Sequence, residues 1–104
     1  MKDDAYELHA HLCGIFSNPK RLEILDILRD RELSVTDILK KVHISKTNLS
    51  QHLAIMKDRG VLKSRRKGQR VYYSISNTKV IEAYDLMKKI LCEIIDDRAT
   101  RLKR

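Results

Sequence analysis

The sequence predicts a mainly α-helical single domain with one small β-hairpin. Three observations support this fold class. The chain has 104 residues, which suits one domain. Apolar residues recur at helical spacing in five segments, and they change to strict alternation only around residues 71–75. No linker, internal repeat or low-complexity segment separates these parts, so we interpret residues 1–104 as one unit.

Composition narrows the class of protein further. Hydrophobic residues make up 42% of the chain, enough to build a core rather than a disordered segment. No apolar run approaches the roughly 18 residues of a membrane span, and the first residues lack the apolar region of a signal peptide. We therefore expect a soluble, cytoplasmic protein. Two cysteines are too few to staple a secreted domain.

The first two segments predict adjacent helices. Residues 5–17 have the spacing of one amphipathic helix. Asn18 is a typical N-cap and Pro19 is favoured in the first helical turn, so a second helix is predicted to begin there. Apolar residues surround much of this second helix, as expected of a buried one; they are Leu22, Ile24, Leu25, Ile27 and Leu28.

The next two segments predict a helix-turn-helix over about residues 34–59. Ser34 and Asp37 resemble a capping box at the start of a short helix. Ser45 is the N-cap expected for the following helix, and Gly60 stands where a C-terminal cap belongs. The inward face of that helix is predicted to consist of Leu49, Leu53 and Met56. Two short capped helices joined by a turn of three or four residues define the motif.

A hairpin is predicted over about residues 61–76, with its tip at Lys67-Gly68. A last helix over about residues 77–98 has an apolar stripe that is too regular for an isolated terminal helix. The stripe consists of Val80, Tyr84, Met87, Leu91 and Ile94. We expect this helix to pack on residues 5–17 and on a second subunit, which makes the protein a homodimer through its terminal helices.

Charge is concentrated in one quarter of the chain. The net charge is +8, and residues 45–70 contribute eight basic and one acidic side chain to it. Residues 1–44 have a net charge of −1 and residues 71–104 of +2. Such a concentration favours a surface that binds a polyanion, most often nucleic acid, over a merely solvated surface. Scarce aromatic residues argue against a protein that stacks the bases of single strands.

Four helices, two strands and a final helix, in that order, correspond to a winged helix-turn-helix, in which the second helix of the motif enters the major groove of DNA. Two runs, Asn18-Pro19-Lys20-Arg21-Leu22-Glu23-Ile24-Leu25 and Ser50-Gln51-His52-Leu53, resemble the signatures of the ArsR/SmtB transcriptional repressors. Gly60-Val61-Leu62, followed by a basic hairpin and Val71-Tyr72-Tyr73, fits the same family. The resemblance covers about residues 5–96.

The resemblance implies a homodimeric repressor that binds a pseudopalindromic operator in double-stranded DNA and leaves it when an effector binds. Asn, Gln, Ser and Thr side chains can contact base edges, whereas Lys and Arg mainly contact phosphates. The predicted contacts in the helix are Ser45, Lys46, Thr47, Asn48, Ser50, Gln51 and His52, of which His52 could instead orient its neighbours. Those in the hairpin, or wing, are Lys63, Arg65, Arg66, Lys67, Gln69 and Arg70.

Two effector sites of the family have no counterpart in the sequence. Metalloid sensors have Cys-x-Cys at the start of the third helix, where this chain has hydroxyl residues over residues 32–37. Zinc sensors use His and carboxylates of the last helix, but residues 77–104 contain no His. Sulfide- and peroxide-responsive relatives pair two cysteines, the first of them in the second helix, where Asp26 stands in a stretch without Cys.

Cys13 and Cys92 leave three interpretations open. They form a redox or reactive-sulfur pair, they are two buried hydrophobic residues, or they bind a metal together with His9, which lies one helical turn before Cys13. Between the two kinds of signal, the thiol-based one is favoured over the metal. No cofactor is otherwise indicated.

Enzymatic activity is not expected, because the chain has three glycines, no phosphate-binding Gly-rich loop and no recognisable catalytic grouping. The alternative to an inducible repressor is a winged-helix module without a sensor site, one that binds DNA constitutively or contacts proteins only.

Overall fold

The computed structural model describes residues 3–102. Its N-terminal half contains the helices α1 (Asp3–Cys13), α2 (Pro19–Ile27) and α3 (Val35–Lys41), with a 3-10 helix at Gly14–Ser17 and strand β1 at Leu33–Ser34. The second half contains helix α4 (Lys46–Asp58), strands β2 (Leu62–Lys67) and β3 (Arg70–Ile75), and helix α5 (Thr78–Leu102). The predicted fold class and order of helices are confirmed.

Polar side chains start the helices where the sequence predicts. The Asn18 side chain accepts hydrogen bonds from the backbone N–H groups of Lys20 and Arg21, at 2.9 and 3.2 Å. The Ser34 hydroxyl accepts from the Asp37 N–H, and the Ser45 hydroxyl accepts from the Asn48 N–H. Each bond satisfies an N–H that has no partner within the helix, which fixes where α2, α3 and α4 begin.

The sheet has three antiparallel strands in the order β1-β3-β2, one more than the predicted hairpin. The additional strand, β1, pairs Leu33 with Tyr73 and Ser34 with Tyr72. Two residues are too few to produce an alternating pattern, so sequence periodicity cannot detect this strand. The tip of the β2–β3 hairpin is Gly68-Gln69, one residue beyond the prediction, and Gly68 has the positive φ of 64° that such a turn requires.

Two helix boundaries also differ from the prediction. The segment expected as one helix over residues 5–17 changes from an α-helix to a 3-10 helix after Cys13. Helix α5 continues to Leu102 instead of ending near residue 98.

The hydrophobic core lies between α2, α3, α4 and the base of the hairpin. Its fully buried side chains include Ile24, Leu25, Ile38, Leu49, Leu53, Met56 and Val61. Neither α1 nor α5 contains a buried residue, although Val80, Ile81 and Tyr84 pack partly against the core. The radius of gyration of 16.2 Å exceeds the roughly 13 Å expected of a compact domain of this length. Over residues 3–102, no helix is long and apolar enough to cross a membrane.

Candidate nucleic-acid interface

Helix α4 has a buried apolar face and an exposed polar face. Leu49, Leu53 and Met56 are buried in the core. The exposed positions correspond to six of the seven predicted contact residues in this helix and its cap, namely Ser45, Lys46, Thr47, Asn48, Ser50 and Gln51. The first turn of α4 contains no acidic residue, so its N-terminus combines a positive helix dipole with Lys46. This end of α4 therefore attracts anions and offers side chains able to contact base edges.

His52, the seventh predicted contact, lies on the flank of α4 that faces α2. Its ring is half-buried, and its Nδ1 atom accepts a hydrogen bond from Arg21 Nε at 3.2 Å. Burial lowers the pKa of His52 below its usual range, and the neighbouring Arg21 charge lowers it further. His52 is thus a neutral group engaged with α2, unlike the exposed side chains on the same helix.

The wing is a basic ribbon beside the recognition helix, the name used from here on for α4. Strand β2 packs against this helix. Six predicted wing contacts are exposed, namely Lys63, Arg65, Arg66, Lys67, Gln69 and Arg70. Gln69 is at the tip, and Lys67 pairs with Arg70 across the hairpin next to it. The ribbon therefore concentrates positive charge at its free end.

Arg65 differs from the other wing cations because a carboxylate already binds it. Its Nε donates to both oxygens of Glu32 at 2.8 and 2.7 Å, and its Nη2 lies 2.7 Å from Glu32 Oε1. The Arg65 hydrogen bond lowers the pKa of the Glu32 carboxyl below its usual range. The sequence does not reveal this pair, because Glu32 reaches the wing only through strand β1, which periodicity cannot detect.

A second arginine joins α2 to α5. Arg29 binds both oxygens of Asp85 at 2.7 and 2.8 Å and also binds Asp26 at 3.0 Å. Its guanidinium lies 5.7 Å from the centre of the Tyr84 ring, within the range of a cation–π contact. Hydrogen bonds from Arg29 lower the pKa of Asp85 below its usual range. This cluster sets the direction in which α5 leaves the core, and no sequence motif signals it.

Both cysteines are exposed free thiols in the single chain. The interpretation of Cys13 and Cys92 as buried hydrophobic residues is therefore wrong within one subunit. His9 is exposed as well, and within residues 3–102 no three His, Cys, Asp or Glu side chains are close enough together to hold a metal ion. The structure thus does not gather His9, Cys13 and Cys92 of one chain into a metal site.

An exposed polar recognition helix beside a basic hairpin defines the chain as a winged helix-turn-helix protein. Residues 18–64 match the family described as bacterial regulatory protein, arsR family. The transcriptional activator HlyU of Vibrio cholerae is 36% identical to the chain over 82 residues, which are 79% of this chain and 76% of HlyU. The chain belongs to the arsR family of bacterial regulatory proteins, as its sequence motifs predicted.

Solved structures have the same fold. The crystal structure of Rv0081 from Mycobacterium tuberculosis has a TM-score of 0.87 and 31% identity, and it covers 94% of this chain and 99% of that one. The solution structure of a homodimeric winged helix-turn-helix domain, Mb0332 of Mycobacterium bovis, has a TM-score of 0.82 and 27% identity, with 93% of each chain covered. The second structure is described as a possible ArsR-family transcriptional regulator.

Proposed function

We propose that this protein is a homodimeric transcriptional repressor that binds a pseudopalindromic operator in double-stranded DNA. The observation that most supports this function is the combination of the recognition helix and the wing. The helix has exposed side chains that can contact base edges, and the adjacent wing has exposed cations that suit phosphates. The family membership and the transcriptional regulators among the relatives support the same function.

A second copy of the chain is the partner that the terminal helices require. Large apolar side chains are exposed along both of them, namely Tyr6, Leu8 and Leu12 on α1 and Leu86, Met87, Ile90, Leu91, Ile94 and Ile95 on α5. Contiguous exposed apolar surface of this kind marks an interaction site. Two recognition helices related by a two-fold axis would read two half-sites, which is why we propose a pseudopalindromic operator.

DNA binding can be tested without knowing the operator. Duplexes selected by the protein from a random-sequence pool should share a symmetric motif, and their affinity should fall steeply as salt is added. Binding to that duplex upstream of a reporter should lower transcription. Absence of DNA binding even at low salt would contradict the proposal and favour a module that contacts proteins only. Raised transcription would instead indicate an activator.

For the inducer, we favour a thiol-based signal over a metal. Cys13 and Cys92 are both accessible to an oxidant, and they lie on the two helices assigned to the dimer surface. With a peroxide as oxidant, the two thiols would lose two protons and two electrons as the disulfide forms, and the peroxide would be reduced to water or to an alcohol and water. With a persulfide, a polysulfide bridge would form.

One gel-shift experiment separates these signals. Operator binding is compared for reduced, peroxide-treated, persulfide-treated and metal-treated protein, with the double variant Cys13→Ser/Cys92→Ser as the control. A thiol signal predicts that the oxidant releases wild-type protein but not the variant. Release by metal alone would support a site that includes His9 and residues of both subunits. Equal binding under all conditions would indicate a constitutive DNA-binding protein.

A further inference from the structure

The end of α1 is connected to the recognition helix by two arginine side chains. Arg21, in the first turn of α2, donates from Nη1 to the Gly14 carbonyl oxygen at 3.4 Å. Arg59, the C-cap residue of the recognition helix, donates from Nη1 to the His11 carbonyl oxygen at 3.2 Å. The two acceptors lie on either side of Cys13, where α1 changes to the 3-10 helix.

Arg21 also contacts the recognition helix directly. Its Nε donates to His52 Nδ1 at 3.2 Å, so one guanidinium joins the 3-10 helix to the middle of the recognition helix. The planar guanidinium holds several N–H donors in a fixed arrangement, which a lysine ammonium cannot reproduce at two separated acceptors. The side chain of Arg21 is half-buried between these elements, which limits competition from water.

The chemistry of this contact determines the state of the His52 ring. A guanidinium has N–H donors and no acceptor, so His52 Nδ1 must offer its lone pair. A neutral imidazole that accepts at Nδ1 has its proton on Nε2. The lowered pKa of His52 agrees with a neutral ring at physiological pH.

We propose that Arg21 is a positioning residue for DNA binding, which acts by holding His52 through Nδ1 and thereby sets the orientation of the recognition helix relative to α1. The proposal rests on the DNA-binding function proposed above. It assigns His52 to the support of the helix and not to a phosphate or base. It also gives α1, an element of the proposed dimer surface, a direct polar connection to the element that reads DNA.

Two near-isosteric variants of His52 distinguish support from direct contact. In His52→Asn, the amide oxygen takes the place of Nδ1 and can accept from Arg21, but nothing replaces Nε2. In His52→Gln, the amide takes the place of Nε2, but the acceptor at the Nδ1 position is lost. Binding is measured by fluorescence anisotropy with the duplex selected by the wild-type protein. We expect His52→Asn to bind within about twofold of wild type and His52→Gln to bind roughly tenfold or more weakly, the usual range for a lost hydrogen bond to a charged group.

The reverse order, with His52→Gln near wild type and His52→Asn impaired, would overturn the proposal, since it would show that Nε2 contacts DNA. Equal binding by all three proteins would overturn it too. If wild-type protein selects no duplex, the DNA-binding function itself has failed, and this result is distinct from either outcome.

A measurement without DNA tests the same contact. Long-range ¹H–¹⁵N NMR spectra of wild-type protein should show His52 protonated at Nε2, and its pKa should rise towards the ordinary value in Arg21→Lys and Arg21→Met. The Lys variant should move less than the Met variant, because it keeps the positive charge. A ring protonated at Nδ1 in wild-type protein would contradict the hydrogen bond and the proposal with it. Circular dichroism melts check that each variant is folded.

Discussion

Removing two wing arginines should weaken DNA binding in a way that salt reveals. Arg66 and Arg70 are exposed near the tip of the hairpin, and within residues 3–102 neither forms an ion pair with a carboxylate. The double variant Arg66→Ala/Arg70→Ala removes two cations from each subunit and therefore four from a dimer. The recognition helix and the hydrophobic core are untouched, so the effect is restricted to electrostatic attraction.

The magnitude follows from the number of phosphates neutralised. If each subunit neutralises three or four, a dimer neutralises about six to eight, and the slope of log K against log salt is roughly −5 to −7. Losing four contacts should flatten the slope by about 3 to 4. Between 50 and 200 mM salt, wild-type affinity should then fall by roughly 10³ to 10⁴, but that of the variant by only about 10 to 10².

Fluorescence anisotropy with the selected duplex at five or six salt concentrations measures both slopes. The matched control is Arg98→Ala/Arg101→Ala, which removes the same charge from the C-terminal part of α5. The control should keep the wild-type slope. A wing variant with an unchanged slope, or a control that flattens as much as the wing variant, would refute the assignment of phosphate contacts to the wing.

Three further predictions concern other contacts. Glu32→Gln should release Arg65 and steepen the salt slope by roughly 1 to 2 per dimer; an unchanged slope would show that Arg65 does not reach phosphate. Leu91→Glu/Ile94→Glu should place carboxylates in the proposed dimer surface and raise the dimer dissociation constant by roughly 100-fold or more in sedimentation, whereas Lys89→Glu on the same helix is the control for charge. The lowered pKa of His52 should make wild-type protein lose thermal stability relative to His52→Asn as pH falls below about 6.5.

The sign of the pH effect follows from proton uptake. Because the native pKa of His52 is below the unfolded value, the unfolded chain binds the proton first as pH falls. The stabilisation is complete above the unfolded pKa and is lost down to the native one. The comparison with His52→Asn cancels the contributions of carboxyl groups that titrate in both proteins. Parallel melting curves from pH 7.5 to 5 would show that His52 titrates normally.

Local signals predicted much of the fold because they act over a few residues. Asn18, Ser34 and Ser45 cap the helices that follow them, and the alternation from residue 71 marks a real strand. The basic residues of the wing and the polar face of the recognition helix are exposed where the sequence predicts. Strand β1 escaped prediction because two residues contain no period.

The sequence by itself determined the order of the elements, the family and the concentration of positive charge, since caps, apolar spacing and charge runs are read from neighbouring residues. Only the tertiary structure decided which polar groups meet. Arg21 reaches His52 across 31 residues, Arg65 reaches Glu32 across 33, and Arg29 reaches Asp85 across 56. Such pairs depend on how helices and strands pack, and a guanidinium has no sequence pattern that names its acceptor. Packing therefore assigned His52 to α2, held one wing arginine with a carboxylate, and left both thiols exposed.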